Sequence, residues 1–448
     1  MISVQTFAAW LVTAAVAYLL ASYALGGPVA LVRALVAIAS RRRARYRGHP
    51  DDVMASSRFT IPVSVILPIG DEQDVSDAVD HLLGLTYPEH EVIVVTSAPH
   101  GVPPPMRDRY DLKACEIFFR RSLRTPPVRA LYRSGADTRL LVVECDAHTR
   151  GDALNSGVNL ARYRYVCCAD HRARYAPDSL LKSMQPAVED PALVIAVTTM
   201  IAGSQIGRDE GDPGSVSEIL QRLSGLRELL GRGGRKRLRL APDGLPGFTL
   251  WRRDVVLETG GFAPDLLEEH ADLTLRAHRQ MLRSKKPYRI VHIGEPVGTA
   301  SNEAAFDGLL AEHFRRRDAL TPAVWRSRGM LLNPSYGRLG LLDLPQLLLT
   351  SAVVPWFELL CLAALPFAPV VGVLTIPQLM TVLAAIALGN GLLIETAMLR
   401  TPLEPADRRL TGLMLLAPLE VFVGRPARLW ARVVGLTRAL SRPDPMGA

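Results

Sequence analysis

Hydrophobic positions fall into two regimes along the chain. Near both ends they run on without a polar break, and in the middle they come in short bursts between polar stretches. Residues 7–25 are almost wholly apolar, close to the roughly 20 that a helix needs to cross the hydrocarbon core of a bilayer. Gly26, Gly27 and Pro28 interrupt the run, and residues 29–39 read as an interfacial segment. No Lys or Arg precedes the run, which argues against a cleaved leader. Residues 341–399 form the second such region: only Asp343, Glu358 and Glu395 carry charge, and prolines stand at Pro345, Pro355, Pro366, Pro369 and Pro377. This predicts two crossings of about 20–25 residues joined by a turn near Pro366 to Pro377. A last apolar stretch, residues 410–424, is short for a crossing and contains Glu420.

The middle regime predicts alternating strands and helices. Val63-Ser-Val-Ile-Leu67 reads as a strand closed by Pro68. Val75, Val79, Leu82 and Leu83 then recur at helical spacing, and Glu91-Val-Ile-Val-Val95 is the next strand. Leu140-Leu-Val-Val143 is a third, followed by a helix over residues 152–161. Tyr165-Val-Cys-Cys168 is a short buried strand that runs out at Asp170, and Pro177 stands where another helix begins. The alternation predicts an α/β domain, a mostly parallel sheet with helices on both faces. A carboxylate at the C-terminal end of a buried strand lies where open α/β sheets place ligands. Its plainer role would be to cap the turn that follows.

Charge places this domain. The net charge of +8 suits either nucleic acid or an anionic membrane surface, and the position of the basic residues favours the membrane. Arg41, Arg42, Arg43, Arg45 and Arg47 follow the first apolar run, and Arg425, Arg428 and Arg432 follow the last. Arg400, Arg408 and Arg409 mark another return. Positive residues stay inside, so the middle domain is expected in the cytoplasm, on a multi-pass protein of the inner membrane. No motif that reads nucleic acid is present, and Arg232-Gly-Gly-Arg-Lys-Arg-Leu-Arg239 reads as a solvated basic loop. The five cysteines have neither zinc-site spacing nor the density of a disulfide framework, and all but Cys115 read as buried thiols. The expected organisation is a transmembrane helix with a basic interfacial segment (1–45), a linker (46–60), the α/β domain (61–335) and a C-terminal membrane region (336–448).

Five stretches of the middle domain carry a further signal. They are Val63-Ser-Val-Ile-Leu-Pro-Ile-Gly-Asp-Glu72, Leu85-Thr-Tyr-Pro-Glu89 leading into Glu91, Arg150-Gly-Asp-Ala-Leu-Asn155, Asp170-His171-Arg172, and Gly260-Gly-Phe262 with Glu269-His-Ala-Asp-Leu-Thr-Leu-Arg276. In this order, with Glu295-Pro-Val297 and Gly337 after them, they resemble the motifs of bacterial membrane-embedded family 2 glycosyltransferases, such as cellulose, hyaluronan and poly-N-acetylglucosamine synthases. The resemblance spans residues 61–435 and rests on the order of the motifs. It implies a nucleotide-diphospho-sugar transferase-like (glycosyltransferase A-type) α/β fold with transmembrane helices. It also implies a nucleotide-sugar donor, a polysaccharide or lipid-linked acceptor, and Mg²⁺ or Mn²⁺ as cofactor, within cell-surface polysaccharide or glycolipid synthesis.

The departures from that pattern fall on functional positions. Thr96-Ser97 stand where the family pairs acidic residues, and Arg150 where it has Lys. Arg172 replaces the second Asp of the metal motif, and His270 replaces the base after Glu269. Phe314-Arg-Arg-Arg-Asp318 keeps only Arg317 of the acceptor-holding Gln-x-x-Arg-Trp. An inverting transfer needs a base for the acceptor hydroxyl and positive charge for the departing diphosphate. Arg172 removes a metal ligand and adds a positive charge where the cation would sit. Two readings follow. One is a non-catalytic homologue that assists an active synthase or export subunit, or binds a polymer or lipid-linked intermediate. The other is a metal-independent transferase with His270 as base. The candidate catalytic residues are His270 and Glu269. The candidate nucleotide-sugar-binding residues are Thr96, Ser97, Asp170, Arg172, Arg315 and Arg317, with none assigned to a metal.

Overall fold

The computed structural model describes residues 4–32, 35, 60–70, 75–96, 101–202, 245–266, 269–300, 320–349, 353–400, 418, 420–426, 429 and 430. Two compact units divide the chain. One comprises Met1–Arg47, Gln205–Gly234 and Leu342–Ala448, the other Gly48–Ser204 and Arg235–Leu341. The arginine cluster at 41–47, all but the last residue of the linker at 46–60, the basic loop at 232–239, residues 314–318 and most of 410–424 lie outside the described residues.

In the first unit, helix α1 (Val4–Leu20) continues through a π-helical turn, Ala21–Leu25. The second unit holds a ten-stranded sheet: β1 (Val63–Ile69), β2 (His90–Thr96), β3 (Leu112–Ala114), β4 (Val128–Ser134), β5 (Leu140–Cys145), β6 (Tyr165–Cys168), β7 (Ala173–Tyr175), β8 (Val194–Ala202), β9 (Leu245–Arg252) and β10 (Arg289–Ala300). Their order across the sheet is β3-β4-β5-β2-β1-β6-β9-β8-β10-β7. β3, β5, β2, β1, β6, β8 and β10 run one way, and β4, β9 and β7 run against them. Helices of this unit are α2 (Ser76–Leu83), α3 (Pro104–Arg109), α4 (Arg150–Leu160), α5 (Ser179–Glu189), α6 (Arg253–Glu258), α7 (Glu269–Arg283) and α8 (Leu320–Arg326).

The central strands read as unbroken apolar runs because both faces are covered. Along β1 and β2 the pleat sorts alternate residues to opposite cores. Val63, Val65, Leu67, Val92 and Val94 pack into one cluster, and Ile66, Ile93 and Val95 into the other. Glu91, the single acid inside this run, is buried but paired: Ser64 Oγ donates to its Oε1 at 2.6 Å, and Arg162 Nε lies 2.7 Å from its Oε2. The sequence pattern placed β1, β2, β5 and β6 and helices α2, α4 and α5. It did not resolve β8, β9 and β10, where the reversed β9 lies between β6 and β8 and β10 pairs parallel with the far side of β8. α4 starts at Arg150 rather than 152 because Thr149 caps it, its hydroxyl accepting from Asp152 N at 3.1 Å.

The first unit goes on through α9 (Leu344–Leu348), α10 (Val354–Ala364) and α11 (Ile376–Arg400). Among the described residues, two helices are long and apolar enough to cross a membrane, Gln5–Val32 and Ile376–Leu393. Val354–Phe367 is shorter; Pro355 sits at its start, where a missing N–H costs nothing. The N-terminal helix meets α11 through small residues. A Cβ on Gly27 would stand 2.6 Å from Gly389 O, and one on Gly389 would collide with the backbone of Tyr23, the close approach that glycine permits between apolar helices. The acids here are buried and partnered. Arg425 bonds both oxygens of Glu358, Tyr23 Oη donates to the same carboxylate, and Asn390 Nδ2 donates to Glu420 Oε2 at 2.7 Å.

Gly389→Val is expected to lower the stability of the purified full chain in detergent by about 1–3 kcal/mol, the usual cost of overpacking. Gly329→Ala, at a site with no atom within 4 Å of the added Cβ, serves as the control. Equal melting temperatures for the two variants would contradict the helix contact.

Candidate functional site

Three of the sequence motifs converge beyond the C-terminal end of β6. The strand delivers Asp170, α4 begins at Arg150, and α7 begins at Glu269 and His270. Asp170 is buried, and its backbone N donates to Tyr175 Oη at 3.0 Å. Tyr175 stacks on Phe248 with ring centroids 3.9 Å apart, so the turn after β6 is anchored to the core.

Arg172 folds back onto Asp170. Its Nε and Nη2 lie 3.1 Å from Oδ1 and Oδ2, and its backbone N donates to Oδ1 at 3.1 Å. This is a two-pronged guanidinium–carboxylate pair, the strongest geometry open to those groups. Arg150 spans the two acids, with Nη1 3.7 Å from Asp170 Oδ2 and Nε 3.3 Å from Glu269 Oε1. Its Nη2 also donates to Ala169 O at 3.3 Å. His171 Nδ1 stands 3.8 Å from Asp170 Oδ1, and His270 Nε2 stands 3.8 Å from Glu269 Oε1. The His270 ring meets Phe262 edge-on at 5.2 Å. Two carboxylates are thus balanced by two guanidinium groups. Burial alone would raise the Asp170 pKa, but Arg150 and then Arg172 outweigh it and hold the carboxyl well below its usual range.

The support behind this cluster joins the third and fifth motifs. Asn155 Nδ2 donates to Phe262 O at 2.8 Å, and Phe262 N donates back to Asn155 Oδ1 at 2.7 Å. Gly261 turns with φ +79°, and a Cβ there would strike Asn155 Oδ1, so glycine is needed on both counts. Arg276 Nη2 donates to Gly261 O, and its Nε to the fully buried Asp272, both at 2.7 Å. Asp272 therefore orients Arg276, and Arg276 ties α7 to the glycine turn.

Of the residues singled out from sequence, Asp170, Arg172, Glu269 and His270 come together. Thr96 does not: it ends β2, one strand beyond β1 from β6, with its side chain buried. Ser97, Arg315 and Arg317 lie outside the described residues. Arg150 matters more than its motif suggested, because it touches both acids. The signal was its place in Arg150-Gly-Asp-Ala-Leu-Asn155, next to the helix cap. The thiols are as expected, with Cys145, Cys167, Cys168 and Cys361 buried, and burial pushes the Cys167 pKa up.

Mg²⁺ and Mn²⁺ require several oxygen ligands on the metal itself. Here both Asp170 oxygens hold Arg172 and Glu269 is engaged by Arg150. No group of three or more metal-ligating side chains occurs among the described residues. This donor set does not fit a divalent cation.

Asp170→Asn is expected to destabilise the protein at pH 7 by about 1–3 kcal/mol, because it strips the part-buried guanidinium groups of Arg150 and Arg172 of a counter-charge. Since the folded-state carboxyl titrates below its unfolded value, its contribution is complete above about pH 4 and fades as acid protonates it. Denaturant unfolding in detergent should show the gap between native and variant narrowing below pH 4. Arg172→Asp exchanges the internal cation for a third carboxylate. It should bind Mn²⁺ at least about tenfold more tightly than the native chain, by electron paramagnetic resonance, since a repulsive charge becomes an attractive one.

No protein-family model and no curated protein matches the chain. Solved structures do. A mannosyltransferase from Pyrobaculum calidifontis, in complex with GDP-Man and Mn²⁺, aligns over 90% of this chain and 99% of its own at 17% identity and a TM-score of 0.53. S. aureus TarS 1-349 aligns over 86% and 95% at 12% identity and TM-score 0.38. Glucosyl-3-phosphoglycerate synthase from Mycobacterium tuberculosis aligns over 62% and 84% at 16% identity and TM-score 0.36. The strand order, the position of Asp170 and the first of these similarities agree that the chain has a glycosyltransferase A-type, nucleotide-diphospho-sugar transferase-like fold.

Proposed function

We propose that the chain is a multi-pass inner-membrane protein with a glycosyltransferase-like domain facing the cytoplasm, in which metal-dependent transfer has been lost. It serves cell-surface polysaccharide or glycolipid synthesis as a non-catalytic or scaffold homologue, beside an active synthase or export subunit. The observation that carries this reading is Arg172 seated on Asp170. The mannosyltransferase of similar fold was solved with Mn²⁺, whereas here a guanidinium occupies both oxygens of the strand-end carboxylate. Two helices of membrane-crossing length support the membrane assignment, and the arginines at 41–47 support the orientation. The sequence boundaries, 1–45, 46–60, 61–335 and 336–448, remain the domain organisation we propose.

A second reading is favoured by one observation, the seat of His270. Its ring is fixed between Glu269 and Phe262, and its side chain is 15% exposed. In this reading His270 takes the acceptor hydroxyl's proton as that oxygen attacks the anomeric carbon. The bond from that carbon to the nucleoside diphosphate breaks, and Arg150 and Arg172 stabilise the departing anion without a metal.

Calorimetric titration of the full chain with UDP, GDP and their sugars, with and without Mn²⁺, separates these readings. No nucleotide binding is expected for the scaffold. Binding indifferent to Mn²⁺, with sugar transfer lost in His270→Ala, would establish the second reading in its place. Binding that requires Mn²⁺ would refute both.

A further inference from the structure

Residues 115–127, between β3 and β4, form a rigid and unusually dressed loop. Asn159 clamps it from α4: Leu123 N donates to Asn159 Oδ1 at 2.9 Å, and Asn159 Nδ2 donates to Leu123 O at 3.0 Å. Side chains alternate along its first half. Cys115, Ile117 and Phe119 pack against the core, while Glu116, Phe118 and Arg120 turn outward. Phe118 is 104% exposed, so no described residue covers it. Exposed arginines surround it at Arg120, Arg121, Arg124 and Arg129, against the single acid Glu116. Arg121 is turned onto the carbonyls of Thr125 and Pro126, and Arg129 is paired with Asp146. The guanidinium groups of Arg120 and Arg124 make no hydrogen bond or ion pair among the described residues. An open depression of about 530 Å³ is bounded by Phe118, Phe119, Arg121 and Arg129.

An uncovered aromatic ring, on a loop clamped at Leu123 and flanked by unpaired cations, matches the lipid–water interface. There a ring sits at headgroup depth and guanidinium groups meet lipid phosphates. We propose that this loop is a peripheral membrane foot, with Phe118 entering an anionic leaflet and Arg120 and Arg124 holding its phosphates. The occupant rests on the membrane-bound reading above, because a chain anchored by its own helices meets such a leaflet at high effective concentration. The foot would tether the β3–β4 edge of the sheet to the lipid surface.

The test uses the full chain carrying Phe118→Trp, reconstituted in nanodiscs of zwitterionic lipid alone or with about a third anionic lipid, the composition that attracts basic segments. The signal is the emission of the added Trp as its difference from the native chain. With anionic lipid this emission is expected to shift to the blue and to be quenched by brominated acyl chains. Adding Arg120→Gln and Arg124→Gln, or raising salt to about 1 M, where screening acts within about 3 Å, should return it to iodide quenching. A Trp that stays iodide-accessible in both nanodiscs overturns the proposal. So does one shielded equally in lipid-free detergent, which would mark a protein contact. Alkaline carbonate treatment of native membranes tests the anchoring separately. If it releases the chain, the anchored reading falls, and lipid quenching at position 118 on anionic vesicles still decides the foot.

Discussion

A carboxylate buried at the end of a strand must have a counter-charge, and everything at this site follows from how that need is met. Asp170 is enclosed by the turn after β6, where an unpaired charge would be far too costly to keep. A soluble cation could supply the balance, but only at the concentration and occupancy the surroundings allow. Arg172 is attached two residues away and is always present. Its two contacts, together with its own backbone N–H, close the turn on itself. The same arrangement that stabilises the turn uses up the oxygens on which a metal would depend.

The second guanidinium extends this balance across the site. Arg150 begins α4, where the helix dipole disfavours a cation, and it is tolerated there because Asp170 and Glu269 face it. Glu269 begins α7, where the dipole favours an anion. Each charge thus stabilises a neighbour that would be expensive alone. The geometry holds because Asn155 and Arg276 fix the Gly260-Gly261-Phe262 turn from two sides. Within the same motifs, Asn155 and the glycine turn hold the frame, while the charged side chains of Arg150, Asp170, Arg172 and Glu269 pair with one another.

The same rule governs the apolar unit. Glu358 and Glu420 sit in segments that are otherwise hydrophobic, and each is buried with a partner from another segment. Buried acids in apolar surroundings are retained where each has a partner. Gly27 and Gly389 let the N-terminal helix and α11 approach closely, and from the same N-terminal helix Tyr23 reaches Glu358 of α10.

Sequence alone determined the strands and helices whose signals are local. β1, β2, β5 and β6 are short apolar runs covered on both faces, and the terminal runs have the length and composition of membrane helices. It also placed Asp170 at a strand end and marked Arg172 and His270 as departures, because residue type and order along the chain are enough for that. Only the tertiary structure decided how β9 inserts between β6 and β8, since pairing across so many residues leaves no period in the pattern. Only it brought Arg150 to both acids, and only it buried Thr96 at the end of β2, with β1 between it and β6. The direction of a long side chain such as Arg172 depends on which opposite charge lies within a few ångströms in space, and here that charge is Asp170.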